Sequence, residues 1–223
     1  HSSRSTYAGA GLYKSVDGGK SWQMMGLLHS QHTGQIQIHP TNPDIVWVGS
    51  MGSLYSKNKE RGLYKTIDGG KTWKKVLYID DNTGVIDIKI HPTNPNILLA
   101  ASWERFRQAH DFIGNGKGST IWRSEDGGDT WKKSETGFPQ DEFVGRIGFD
   151  FSLSSPDVVY ALLDNQGKSD KPAPAPTGSA QTIPVSHLIF LDSEICLEPQ
   201  NVEHNSNQIK FDGRKASCSL HAG

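Results

Sequence analysis

Acidic residues that could take part in catalysis occur in two neighbouring stretches of the 223-residue sequence. Asp80, Asp81 and Asp87 lie in the first stretch, and Glu104 follows Trp103 in the second. Hydrolysis of a glycosidic bond uses two carboxylates roughly 5–9.5 Å apart. Asp87 and Glu104 are therefore candidate catalytic residues. The alternative is that these carboxylates are solvated loop charges and local turn caps.

A cationic candidate, Arg146, stands at the start of a strand-like stretch that continues with Ile147. A guanidinium group can hold a carboxylate through two parallel hydrogen bonds, which suits arginine to an acidic ligand. The alternative for Arg146 is a structural ion pair.

The histidines lack the spacing of a metal site. His39 and His91 each precede a proline in equivalent positions, and His29 and His32 have no cysteine or carboxylate at ligand spacing. Zinc sites combine such residues in short, regular spacings. Phosphate-binding and dinucleotide-binding motifs are also missing from the sequence. We therefore predict neither a metal nor a cofactor.

Charge and hydropathy argue against two classes of partner. The sequence has 23 Lys+Arg against 24 Asp+Glu, a formal net charge of -1. This balance gives no electrostatic reason to expect nucleic acid or an anionic membrane as the main partner. No apolar run reaches the ~18–20 residues of a membrane span, so we expect no transmembrane segment.

The elements that must position these residues are indicated by a repeat of the form Ser/Thr-x-Asp-Gly-Gly-x-Ser/Thr-Trp. It occurs at 15–22, 66–73 and 124–131. The repeated aspartates and tryptophans are Asp17 and Trp22, Asp68 and Trp73, and Asp126 and Trp131. The carboxylate can accept backbone N–H groups of its own turn, and the glycine pair supplies positive φ angles. We interpret these residues as structural, with each tryptophan packed between neighbouring sheets.

A second repeat alternates with the first. His39–Pro43 recurs as His91–Pro95 and, more loosely, as Ser152–Pro156, and each copy is flanked by strand-like apolar stretches. Together the two repeats give four short antiparallel strands in roughly 50–60 residues, as in the blades of a β-propeller. We predict an all-β partial propeller of about three to four blades.

The first repeat resembles the Asp box, or bacterial neuraminidase repeat. The wider pattern, which includes 58–62 and 81–84, is similar to exported bacterial repeat proteins of the sortilin-like or glycosyl-hydrolase-like kind. The resemblance covers residues 1 to about 163, and it implies an extracellular or periplasmic location. In sialidases an arginine near the position of Arg146 clamps a substrate carboxylate, but the accompanying Arg-Ile-Pro motif is absent here.

Three functions fit this resemblance, because a fold does not fix an activity. The first is a binding module for peptide or carbohydrate ligands. The second is a glycoside hydrolase, sialidase-like or glucan-active, and the third is a structural scaffold in a larger secreted protein. We expect the remaining propeller blades in a longer parent chain.

The sequence divides into three regions. We predict propeller blades over 1–163, a Pro/Ala/Ser/Gly-rich linker over 164–185, and a tail over 186–223 that does not match the repeats and is left unassigned. Cys196 and Cys218 both lie in this tail. Whether they pair is left open.

A ligand site is expected on the face opposite the Asp boxes. Antiparallel connectivity places the Asp boxes and the Pro/Asn turns at one end of each blade and the longer, more variable loops at the other. Variable loops on a rigid scaffold commonly carry function. The predicted ligand-binding residues are Asn58, Glu60, Arg61, Asp80, Asp81, Trp103, Glu104, Arg105 and Arg146.

Overall fold

A computed structural model describes residues 7–108 and 110–167 and the backbone of two short strands, Lys210–Phe211 and Arg214–Lys215. The described residues are almost entirely strands and turns, with a single 3-10 turn at Leu28–Ser30. None of their helical segments has the length and apolar character that a membrane span requires. The strands that form the blades are β1 (Tyr13–Lys14), β2 (Gln23–Met24), β3 (Thr33–Ile38), β4 (Val46–Ser50), β5 (Gly62–Thr66), β6 (Lys74–Leu77), β7 (Thr83–Ile90), β8 (Leu98–Glu104), β9 (Phe106–Arg107), β10 (Phe112–Ile113), β11 (Thr120–Ser124), β12 (Lys132–Lys133), β13 (Val144–Phe151) and β14 (Val159–Asn165).

Two complete blades follow one another in the chain. The first is an antiparallel sheet in the order β3-β4-β5-β6, and the second has the order β7-β8-β11-β12. A small hairpin, β9–β10, is inserted between the second and third strands of the second sheet. The prediction of successive four-stranded blades is therefore confirmed.

Two half-blades flank the complete ones. The β1–β2 hairpin carries the first Asp box, and β13–β14 flanks the loose copy of the Pro/Asn turn. The predicted linker and tail lie mostly outside the described residues, so those boundaries stay predictions. The strands β15 (Lys210–Phe211) and β16 (Arg214–Lys215) pair with each other in a separate unit.

The hydrophobic core lies between the blades. Leu98 and Ala100 pack in one cluster with Trp47 and Leu63 of the preceding blade. Leu99 and Ala101, which alternate with them along β8, pack in a second cluster with β13 residues, including Ile147. Successive side chains of a strand point to opposite faces of the sheet. Each inner strand therefore joins its blade to both neighbours.

The three Asp boxes have the same internal hydrogen bonds. Asp68 Oδ1 accepts the Thr72 backbone N–H at 2.9 Å and the Thr66 hydroxyl at 2.7 Å, and Asp68 Oδ2 accepts the Thr72 hydroxyl at 2.6 Å. Asp17 and Asp126 make the corresponding bonds within their own turns. Gly69 and Gly70 have φ angles of 73° and 95°, which glycine adopts without steric cost. These aspartates are thus engaged in holding their turns.

The box tryptophans are less buried than we expected. The Trp73 indole donates to Met25 O in the preceding hairpin at 2.7 Å, yet Trp73 and Trp131 are only partly buried. Trp22 is 63% exposed, because the described residues place no blade before its hairpin. The fully buried tryptophan is Trp47 of β4, at 1% exposure.

Lowering the pH should reduce the stability of the fold, because the Asp-box carboxylates stabilise it in their ionised form. The hydroxyl of Thr72, with its backbone N–H, holds the pKa of Asp68 far below its usual value, and Asp17 and Asp126 are shifted in the same direction by Ser21 and Thr130. A carboxylate whose pKa is depressed by folding stabilises the protein above its unfolded pKa of about 3.9 and loses that contribution as the pH falls. We expect urea midpoints to be level above about pH 5 and to fall below about pH 4.

The matched variant for this prediction is Asp68→Asn, which keeps the shape of the side chain and removes its titration. Its urea midpoint should lie below that of the parent at pH 7, and the difference should become steadily smaller as the pH falls from about 4 towards 2. A constant difference across this range would show that the ionised form of Asp68 contributes nothing.

Candidate functional site

The two ends of each blade differ in their loops. Gly69 N donates to Asp44 O at 2.9 Å, and Gly127 N donates to Asn96 O at 2.9 Å. The Asp box of each complete blade therefore lies against the Pro/Asn turn of the same blade. At the other end, long loops connect β4 to β5 and β8 to β11. We refer to this as the long-loop end.

The histidines of the Pro/Asn turns act in the turns themselves. His39 Nδ1 accepts the backbone N–H groups of Thr41 at 3.3 Å and Asn42 at 3.2 Å, and His91 Nδ1 accepts the equivalent two at 3.3 and 3.1 Å. Within residues 7–108 and 110–167, no group of three or more His, Cys, Asp and Glu side chains is arranged to hold a metal ion.

Both long loops form backbone hydrogen bonds to the connection between β6 and β7. Asn58 N donates to Asp81 O at 3.1 Å, and Arg105 N donates to Asn82 O at 3.2 Å. The Asn58 side chain donates to Ser53 O at 3.0 Å within its own loop. The predicted site residues of three separate sequence stretches are thereby brought together at one end of the sheets.

Arg61 lies at the centre of this contact and is fully buried. Its Nη1 donates to Asn82 O and its Nη2 to Ser53 O, both at 2.6 Å. Burial lowers the pKa of Arg61 to about 10, partly offset by the nearby charge of Asp80. Because its side chain is closed to solvent, Arg61 can influence a ligand only by holding the two loops in place.

Asp80 and Asp81 also form bonds within their loop. Asp80 accepts the Asn82 backbone N–H at 2.6 Å and the Thr83 hydroxyl at 2.8 Å. The Asp81 carboxylate accepts the hydroxyl of Tyr78. These contacts match the turn-cap interpretation of the two aspartates.

The two predicted glutamates have local partners as well. Glu60 Oε2 accepts the Tyr64 hydroxyl at 3.1 Å. Glu104 Oε2 accepts the Gly118 backbone N–H at 3.0 Å, which fastens the loop before β11. Both carboxylates stabilise the long loops.

Arginine and aromatic side chains form the most distinctive surface of the long-loop end. The guanidinium carbons of Arg105 and Arg146 lie 4.7 Å and 5.9 Å from the centre of the Trp103 ring. Arg105 is also 5.4 Å from the Phe112 ring, and the Trp103 indole donates to Gly114 O at 2.6 Å. We call Trp103, Arg105, Phe112 and Arg146 the arginine–aromatic cluster.

The charges of this cluster are close to one another. Arg105 is partly buried, and burial lowers its pKa, assisted by the positive charges of Arg107 and Arg146. Arg146 is exposed. None of the ion pairs found in the described part of the chain includes Arg105 or Arg146. Arg146 therefore lies over an aromatic ring instead of in the expected ion pair.

Phe112 was missed by the sequence reasoning. It pairs with Arg107 across the β9–β10 hairpin, and Gly114, which follows this hairpin, accepts the Trp103 indole N–H. The alternation of charged and aromatic residues at 103–107 is the one signal in the sequence that points to this hairpin.

Comparison with known proteins identifies the family. The model of the Sortilin-Vps10 family, described as sortilin, neurotensin receptor 3, matches residues 10–171. The chain belongs to the Sortilin-Vps10 family. Its members are proteins of the secretory pathway or the cell exterior. The match and the blades together make the chain a segment of a Sortilin-Vps10 propeller.

Two further comparisons agree with membership of the Sortilin-Vps10 family. The vacuolar protein sorting/targeting protein 10 of Colletotrichum graminicola is 27% identical over 106 residues, which are 48% of this chain and 6% of that protein. The crystal structure of an ancestral GH74 enzyme superposes with a TM-score of 0.54 at 22% identity, over 70% of this chain and 20% of that one. This structural likeness concerns the fold alone. The chain thus matches a small part of each relative's length.

The two candidate catalytic residues of this Sortilin-Vps10 chain, Asp87 and Glu104, lie far apart along the β7–β8 strand pair. In the β7–β8 pairing, Glu104 lies opposite Thr83 and Asp87 lies opposite Ala101, so their backbones are about four residues apart along β7, roughly 13 Å. Burial raises the pKa of Asp87, and the Phe149 backbone N–H lowers it in part. The two positions are not adjacent in the sheet.

Proposed function

We propose that these blades recognise the carboxylate group of a peptide at the long-loop end, with the arginine–aromatic cluster as the contact surface. The observation that carries this proposal is the Trp103 ring flanked by Arg105 and Arg146. An aromatic ring offers apolar contact area, and the two guanidinium groups offer paired donors to a carboxylate. The family match supports a peptide ligand, and we place the module in the extracellular space or the periplasm.

The positive charge of the arginine–aromatic cluster favours a ligand that carries a carboxylate group. Burial lowers the pKa of Arg105, and the positive charges of Arg107 and Arg146 lower it further. An anion bound between them would relieve this repulsion, and it would gain charge-assisted hydrogen bonds in a partly dehydrated site. Carbohydrate ligands with an acidic group share this chemistry and are therefore included in the test.

The direct test is titration of the 223-residue chain with neurotensin, the peptide named in the family description, and with its C-terminal amide. Sialic acid and a neutral short glucan serve as the carbohydrate arms. We expect saturable but weak binding of the carboxylate form, with NMR shifts centred on Trp103. Arg146→Gln should weaken the affinity about tenfold or more, because a hydrogen bond to a charged group contributes about 1.5–3 kcal/mol.

The matched control is Arg123→Gln. Arg123 is exposed and paired with Glu125 next to an Asp box, so its loss should leave the affinity unchanged. Equal losses for Arg123→Gln and Arg146→Gln, or shifts centred on Asp17, Asp68 or Asp126, would contradict the proposal.

The glycoside hydrolase alternative has less support from the geometry, since Glu104 is fastened to the Gly118 backbone and lies well along the sheet from Asp87. Glycoside hydrolase activity can be measured directly with a panel of chromogenic glycosides. Turnover that is lost in both Asp87→Asn and Glu104→Gln would favour the enzyme over the binding module.

A further inference from the structure

Two aromatic rings contact the guanidinium group of Arg105. Its guanidinium carbon lies 4.7 Å from the centre of the Trp103 ring and 5.4 Å from that of Phe112. Within the described part of the chain, the Arg105 Nε has no hydrogen-bond partner and its guanidinium group belongs to no ion pair. A cation over an aromatic face is attracted by the negative charge of that face, more strongly where water is partly excluded. The two rings are therefore the contacts that can fix the direction of this side chain.

Neighbouring positive charges favour movement of Arg105 away from the cluster. Burial lowers the pKa of Arg105, and the charges of Arg107 and Arg146 lower it further. The guanidinium carbon of Arg107 lies 5.6 Å from the centre of the Phe112 ring, so two arginines share this aromatic side chain. Without the ring, the repulsion between the arginines would lose an attraction that opposes it.

The β9–β10 hairpin sets the position of Phe112, and the chain is held by backbone hydrogen bonds on both sides of it. Arg107 N donates to Leu54 O of the β4–β5 loop at 2.8 Å. Beyond the hairpin, Gly116 N donates to Val144 O of β13 at 2.9 Å. The backbone that carries Phe112 is thus fastened to neighbouring elements in two places.

Gly114 leaves room for the Phe112 ring. A Cβ atom at position 114 would lie 2.7 Å from both Cε1 and Cζ of Phe112, closer than two carbon atoms approach without overlap. The φ angle of Gly114 is outside the left-handed region, so alanine would not strain the backbone there. The ring would have to move instead. Gly114 O also accepts the Trp103 indole N–H at 2.6 Å, so Gly114 helps to place both rings that contact Arg105.

We propose that Phe112, placed by Gly114, is a positioning residue that holds the Arg105 guanidinium group in the direction in which it meets an anion. This rests on the proposed function, which assigns Arg105 to the carboxylate site. The Phe112 ring offers a carboxylate no hydrogen bond, whereas the guanidinium group offers paired donors, so Phe112 acts through Arg105. A side chain that is already restricted before the ligand arrives loses less conformational entropy on binding.

The first experiment needs no ligand. The Nε–Hε NMR signal of Arg105 is compared between the 223-residue chain and Phe112→Leu, which keeps an apolar side chain but removes the ring. We expect the signal to move towards that of an unstructured arginine, because the ring current of Phe112 is lost. Gly114→Ala should move it in the same direction by displacing the ring, and Phe112→Tyr should leave it in place. An unchanged signal in both Phe112→Leu and Gly114→Ala would overturn the proposal.

The second experiment measures the affinity for neurotensin in its carboxylate form. Phe112→Leu should weaken binding about three- to tenfold, as expected for the loss of a partly dehydrated cation–π contact. It should have no further effect in a chain that already carries Arg105→Gln. Gly114→Ala should weaken binding like Phe112→Leu, and Phe112→Tyr should bind like the parent.

The matched control is Ile113→Ala. Ile113 is exposed, and its side chain alternates with that of Phe112 along β10, so it should leave the affinity unchanged. Circular dichroism checks that each variant is folded, and Gly114→Ala, which retains the ring, serves in place of Phe112→Leu if that variant unfolds.

The two experiments distinguish the positioning role from the proposed function. A chain that shows the expected Nε shifts but binds no neurotensin would contradict the proposed function and leave the positioning of Arg105 intact. Binding by the parent that Phe112→Leu leaves unchanged would overturn the positioning role while the proposed function stands. The positioning role would also be overturned by equal losses with and without Arg105, or by an equal loss in Ile113→Ala.

Discussion

Trp47→Ala is expected to lower the free energy of unfolding by about 3–5 kcal/mol, the usual cost of truncating a buried aromatic side chain. Trp47 is 1% exposed, and its indole donates to Gly127 O of the next Asp box at 3.1 Å. Its ring stacks near His39, with centroids 6.1 Å apart. Since Trp47 belongs to the cluster that joins the two complete blades, both blades should lose stability together. Urea unfolding followed by circular dichroism measures this.

Trp47→Phe separates the contribution of ring packing from that of the indole hydrogen bond, and Trp22→Ala serves as the exposed control. Trp47→Phe keeps most of the ring but leaves Gly127 O without its donor, so it should cost less than alanine, about 1–3 kcal/mol. Trp22→Ala, at a tryptophan that is 63% exposed, should change stability by less than about 1 kcal/mol. If Trp47→Ala were no worse than Trp22→Ala, the packing assigned to Trp47 would be wrong.

Arg61→Met should also be strongly destabilising, by about 3–5 kcal/mol, because it removes two hydrogen bonds from a charged donor inside the protein. The guanidinium group connects Ser53 O of the β4–β5 loop to Asn82 O of the β6–β7 connection. Methionine retains much of the apolar length of the side chain but leaves both carbonyl oxygens without this donor. Denaturant unfolding at pH 7 gives the magnitude.

Arg61→Lys tests whether stability depends on the two-armed geometry of the guanidinium group or only on its positive charge. Arg61→Lys keeps the charge, but a single ammonium group cannot reproduce the planar, two-armed geometry, so most of the stability should still be lost. Arg123→Met, at an exposed arginine, should change stability by less than about 1 kcal/mol. Full stability in Arg61→Lys would mean that the charge alone matters.

The blades could be predicted from the sequence because their turns are held by short-range contacts. Asp68 bonds to Thr66 and Thr72, four residues away or closer, so the eight-residue repeat contains its own hydrogen-bond partners. The His39 turn is equally local. A motif whose partners lie inside it forms the same turn wherever it recurs, and three copies in a regular order then predict the repeated sheet.

The sequence could place the predicted site residues at the long-loop end of the sheets but could not specify their contacts. Antiparallel connectivity alone places Asn58, Asp81 and Arg105 at the long-loop end, and backbone hydrogen bonds bring their loops together. The sequence could not show that Arg61 is buried, or that the β9–β10 hairpin carries Phe112 to Arg105. Both depend on where a loop folds back, which residue type alone does not specify.

The sequence by itself determined the all-β fold, the blade repeat and the end of the sheets at which the long loops gather, because each follows from periodicity and local hydrogen bonds. Only the tertiary structure decided which tryptophan is buried. Trp47 finds its acceptor at Gly127, eighty residues away along the chain, whereas the box residue Trp22 stays exposed. The physical reason is that burial depends on the neighbouring blade: Trp73, in the same local turn as Trp22, is partly buried because its indole contacts Met25 of the preceding hairpin.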